Sequence, residues 1–141
     1  MGDSEFANGE YSTARDAYRA SLGIDPNNAA IAKQAVLCER ILALDPNLPG
    51  LGAEQRYQRS VKILGGVMDE LDRCGGGGDG AGMQQAQTEF ARKTRPNSYS
   101  DAGDSNRVLA LQLWASRPAS CAGSGGDDAL SRVMAKLGAR N

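Results

Sequence analysis

The chain has 141 residues, 16 of them Lys or Arg and 17 Asp or Glu, with no histidine. That length allows one domain with a real core, and the near-balanced charge supplies no single-sign field for nucleic acid or an anionic membrane. Without histidine the usual general base and metal ligand near neutral pH is gone; the few aromatics make poor base-stacking platforms, and no apolar run approaches the ~20 residues of a membrane span.

Gly and Pro clusters cut the chain into helix-length pieces with helical apolar spacing, and nowhere is there sustained alternation at period two. The first piece covers about residues 2–8, only two turns and marginal in isolation. The second covers about 10–23, with Tyr11, Ala14, Tyr18 and Leu22 on one face, Gly23 placed for a left-handed C-cap and Pro26 preventing continuation. Asn28 is a good N-cap for a helix over about 29–44, with Ile31, Leu37, Ile41 and Leu44 as its stripe and Cys38 beside it. The longest piece, about 52–74, carries a heptad-like seam of Tyr57, Val61, Leu64, Met68 and Leu71, widened by Ile63 and Val67. Gly65-Gly66 in its middle implies either close helix packing or a kink.

The glycine run of residues 75–82 reads as a flexible loop. A helix over about 83–94 follows, stopping before Pro96. The next, about 101–116, is apolar nearly all round and is expected to be central. A last helix covers about 128–139, capped by Gly126 or Asp127, with Leu130, Val133, Met134 and Leu137 on one side. The expectation is an all-α protein of about six helices, built as antiparallel hairpins.

Gly9-Glu10-Tyr11-Ser12-Thr13-Ala14-Arg15-Asp16-Ala17-Tyr18, followed by Asp25-Pro26-Asn27, resembles the second half of a tetratricopeptide (TPR) repeat. On that resemblance Gly2-Asp3-Ser4-Glu5-Phe6-Ala7-Asn8 is the end of a first repeat helix, with Gly2 at its small-residue site, and the rest of that helix would precede Met1 in a longer protein. The mark Asp45-Pro46-Asn47 comes 20 residues after the first, whereas a full unit takes ~34, so residues 29–44 read as a capping helix. The resemblance covers about residues 2–47. It implies an α-solenoid start over residues 1–47; residues 48–141 carry no repeat signature and read from their helical spacing as a bundle-like region with a Gly-rich loop over 75–82, the two forming one continuous domain.

The same resemblance implies a protein-interaction scaffold that binds a partner peptide or helix, without catalysis and without a cofactor. Asp3, Phe6, Ala7, Ala30, Lys33, Gln34, Leu37 and Arg40 would line its groove. A basic clamp for a terminal carboxylate is not supported, since the residue one turn after Lys33 is Leu37. The competing expectation is a structural or oligomerisation domain of a larger bacterial-type protein, paired through the residue 57–71 seam or an exposed N-terminal edge.

Other chemistry finds less support. The glycine run has no preceding strand and no Lys-Ser or Lys-Thr after it, so it does not match a phosphate loop. Ser98, Ser100, Ser120 and Ser131 lack an activating base, and Asp101 with Asp104 suits a helix start. Arg92, Lys93 and Arg95 read as a solvated helix end and not as a nucleic-acid patch. Cys38, Cys74 and Cys121 show no C-x-x-C spacing, which argues against a metal site. Cys74 and Cys121 each border a Gly- or Ser-rich loop and are read either as a disulfide of an oxidising envelope compartment or as free thiols in the cytoplasm, the latter being favoured.

Overall fold

A computed structural model describes residues 2–73, 81–118 and 128–140 of the chain. Among them are seven helices and no strand: α1 Asp3–Ala7, α2 Tyr11–Ile24, α3 Ala29–Leu44, α4 Ala53–Arg73, α5 Ala81–Phe90, α6 Tyr99–Ala115 and α7 Asp128–Arg140. The all-α expectation stands, with one helix more than the approximate count.

The helix starts follow local chemistry. Asn28 Oδ1 accepts from the Ile31 amide at 3.2 Å, satisfying one of the four orphan donors that every helix start exposes. Ser98 Oγ does the same for the Asp101 amide at 3.2 Å, so α6 begins at Tyr99, two residues before the sequence expectation. At α4 the Gln55 side chain reaches back to the Gly52 amide at 3.0 Å, half of a capping box. Gly23 is not a left-handed cap. The helix runs through it to Ile24 and ends at Asp25, whose φ of −132° is extended, with Pro26 next in the chain. Helix α5 ends at Phe90 instead of about 94; beyond it the Arg92 amide bonds the Glu89 carbonyl, a tighter i to i+3 turn.

The N-terminal layer is α1, α2 and α3. Phe6 of α1 meets Tyr11 and Tyr18 of α2 edge-on, with centroids 5.3 and 6.5 Å apart. The Tyr18 hydroxyl donates to Asp3 Oδ1 at 2.7 Å, so the start of α1 lies by the middle of α2 and the two are antiparallel. Gly2 makes this approach feasible, since a Cβ there would lie 2.9 Å from the Tyr18 ring and its φ of +97° is left-handed. Helix α3 returns along α2, tied by the ion pair of Arg19 with Glu39.

The second layer is α4, α5 and α6. Tyr57 backbone lies 3.4 Å from where a Gly103 Cβ would be, and Asn106 Nδ2 donates to Ser60 Oγ at 3.3 Å. These contacts rise together along both helices, so α4 and α6 run parallel. Helix α5 is the return path, antiparallel to α6, with Gly82 beside Leu109 and Leu113. The Gly65-Gly66 pair serves close packing: a Cβ on Gly65 would enter the Phe90 ring of α5 at 2.3 Å, and one on Gly66 would touch Leu130 of α7 at 3.3 Å. The seam residues Leu64, Met68 and Leu71 are buried inside the chain, as are Ile63 and Val67. Helix α6, expected to be central, packs on α4, α5 and α7 but leaves Val108 exposed.

Helix α7 joins the layers. Ala129, Leu130, Val133, Met134 and Leu137 are all buried, and the helix packs on α3, α4 and α6. Lys136 Nζ reaches Asp45 Oδ2 at 3.3 Å, and Arg132 lies 4.3 Å above the Phe6 ring. Asp45 is itself buried, its Oδ1 accepting from the Asn47 amide at 2.9 Å in the turn after α3.

Candidate functional site on the outer face of α3

Helix α3 carries more apolar residues than one buried stripe needs. Ala35, Cys38, Ile41 and Leu42 face inward against the neighbouring helices. Ala29, Ala30, Val36 and Ala43 remain exposed, Val36 at 55%. A helix apolar on both sides is ordinarily covered on both sides.

On that outer side Ala32, Lys33, Gln34, Val36, Leu37 and Arg40 line one open depression of about 460 Å³. Its ends are basic and its middle is aliphatic. Lys33 has no acidic partner among the described residues. Glu39, the one acid of α3, is engaged by Arg19 of α2. Of the eight expected groove residues, the structure therefore brings Lys33, Gln34, Leu37 and Arg40 together, with exposed Ala30 one turn earlier on the helix. The α1 residues lie elsewhere. Ala7 is exposed, Asp3 accepts the Tyr18 hydroxyl, and Phe6 is buried beneath Arg132, in the core and not on an open face. Val36 and Ala32 were missed. The surplus of apolar residues in Ala29-Ala30-Ile31-Ala32 and Ala35-Val36-Leu37 was the signal that could have found them.

Two titratable groups buried in the N-terminal layer are shifted. Burial, then the hydrogen bond to Asp3 and that carboxylate's charge, pushes the Tyr18 phenol well above its ordinary range. Burial likewise raises the Cys38 thiol, against the opposing charges of Arg15 and Arg132. A thiol held protonated is a poor nucleophile.

A second cavity, of about 380 Å³, lies between the end of α5 and the start of α6, lined among others by Arg92, Arg95, Asp101 and Asn106. Arg92 is paired there with Glu89 at 2.9 Å, and the mixture of signs gives it no preference for an anion. Among the described residues no group of three or more Cys, Asp or Glu side chains is placed to hold a metal ion, and no helix is long and apolar enough to cross a membrane. Cys74, Cys121 and residues 75–80 of the glycine run lie outside the described residues, while Gly82 falls in the first turn of α5.

No protein-family model, curated protein or solved structure matches the chain.

Proposed function

We propose that the protein is a TPR-like binding module that receives a partner's peptide or helix on the outer face of α3. The observation that carries the reading is the open depression around Val36 and Leu37 on a helix whose opposite face is already packed. The opening hairpin supports it: Gly2 sits against Tyr18, and Tyr11, Ala14 and Tyr18 form one buried face, as the resemblance to a repeat unit implies. Stacked helices with an exposed face bind extended partners through many small contacts. The reading involves no catalytic step.

The competing oligomer reading has less surface to work with, because the seam residues Leu64, Met68 and Leu71 are filled from within the chain. The test is affinity capture by the immobilised protein compared with its Val36→Asp variant, each checked for helical content by circular dichroism. Val36→Asp should keep the fold and lose the captured partner. Equal capture by both proteins would refute α3 as the docking face.

A further inference from the structure

We propose that Asn8 is a covalent modification site: its carboxamide closes onto the Gly9 backbone nitrogen as a succinimide, which water opens to isoaspartate or aspartate, and the lengthened turn loosens α1 from α2. Among the asparagines only Asn8 precedes a glycine. Asn27, Asn28, Asn47, Asn97 and Asn106 are each followed by a residue with a Cβ, which crowds the approach of a side-chain carbonyl to the next backbone nitrogen. Asn8 is exposed at the C-terminal end of α1, and nothing lies within 4 Å of where a Gly9 Cβ would be. Asn28 and Asn106 are held instead, the first capping α3 and the second bonded to Ser60 in the interior.

The step balances with water alone. The Gly9 nitrogen gives its proton to hydroxide and attacks Asn8 Cγ. The new N–Cγ bond forms, the bond from Cγ to the carboxamide nitrogen breaks, and that nitrogen leaves as ammonia with a proton returned by water. Water then opens the five-membered ring. Cleavage of the N–Cγ bond gives aspartate. Cleavage at the Asn8 main-chain carbonyl carbon gives isoaspartate, which carries Cβ and Cγ in the backbone. The fold sets the rate: the Gly9 amide donates to the Phe6 carbonyl at 3.1 Å, and the Asn8 ψ of 1° must change before the nitrogen reaches Cγ. Both restraints belong to a five-residue helix, which opens readily. In the product the same turn suffers. Its bonds from the Asn8, Gly9 and Glu10 amides to the Ser4, Phe6 and Glu5 carbonyls, at 3.1, 3.1 and 2.8 Å, cannot all keep register around an added backbone carbon. The new carboxylate also sits at the negative end of α1, in sequence between Glu5 and Glu10.

The experiment holds the full chain in mildly alkaline buffer and samples it over weeks. The tryptic peptide that ends at Arg15 should gain about 1 Da and split into two chromatographic forms, isoaspartate the larger. Its rate should exceed that of every other asparagine peptide by at least about tenfold, and should rise with pH and again in urea, where the turn no longer restrains Gly9. Asn8→Gln should abolish the gain. In the isolated isoaspartate form, amide exchange over residues 4–10 should quicken while that of α6 holds. No gain at Asn8 in the folded chain, a faster gain at Asn27, Asn47 or Asn97, or aspartate as the sole product would overturn the modification. Unchanged exchange in the isoaspartate form would overturn the loosening of α1.

Discussion

The layer of α1 to α3 and the layer of α4 to α6 treat their apolar residues differently. In the second layer the long helix buries Leu64, Met68 and Leu71 of its seam, with Tyr57 and Val61 partly covered, and a buried Asn106 to Ser60 hydrogen bond sets the register. In the first layer α3 is apolar on two sides and only one side is covered. The contrast separates residues that hold the fold from residues available to another molecule, although both classes look alike in composition.

Paired truncations give the largest expected effect. Leu64→Ala, at a fully buried site, should destabilise by about 2–5 kcal/mol through lost transfer energy and the cavity left behind. Val36→Ala should lie within about 0.5 kcal/mol of the parent, as surface changes do. Urea titrations of both decide it. A Val36→Ala loss as large as that of Leu64→Ala would mean α3 is covered in the free protein and would end the contrast.

Next in size is the link between layers. Asp45 is buried and its charge is met by Lys136 of α7. Lys136→Met keeps much of the stem packing but removes the cation, and should cost about 1.5–3 kcal/mol. An unchanged midpoint would show that α7 is held to α3 by its apolar face alone.

Much of this was legible in the chain. Asn28 is the side-chain cap expected of it, and Pro26 and Pro96 bounded helices whose ends fell within a few residues of expectation. What was not legible depends on contacts distant in sequence. Nothing near residue 130 indicates that α7 will lie over Phe6 and against Asp45, since those partners are some ninety residues or more away. The 57–71 seam has the same periodicity whether it faces another subunit or its own chain, and only the placement of α5, α6 and α7 decides. Gly23 misled because glycine permits a left-handed cap without requiring one.

Alkaline pH sharpens the picture of the first layer. The Tyr18 and Cys38 protons are held more tightly in the folded chain than in the unfolded one. Stability is therefore intact at neutral pH and falls as pH rises past about 8.5 for the thiol and about 10 for the phenol, where the unfolded groups release protons. Tyr18→Phe should lose about 1 kcal/mol at neutral pH, with the Asp3 hydrogen bond, and flatten the fall above pH about 10. Melting temperatures of parent and variant across that range test it; parallel curves would contradict it.

The smallest effect is expected at Gly65→Ala. The new methyl must displace the Phe90 ring, but Phe90 is half exposed and free to swing outward. A helix-propensity gain of about 1 kcal/mol offsets the lost contact, so stability should change by less than about 1 kcal/mol, while the Phe90 ring resonances shift.

The most direct measurement is site-specific photo-crosslinking from position 36 in an extract of the native cells, with position 104 on the exposed side of α6 as the control. Position 36 should give one discrete heavier adduct and position 104 none. Equal labelling from both positions, or no adduct at 36, would contradict the assignment of α3 as the docking face.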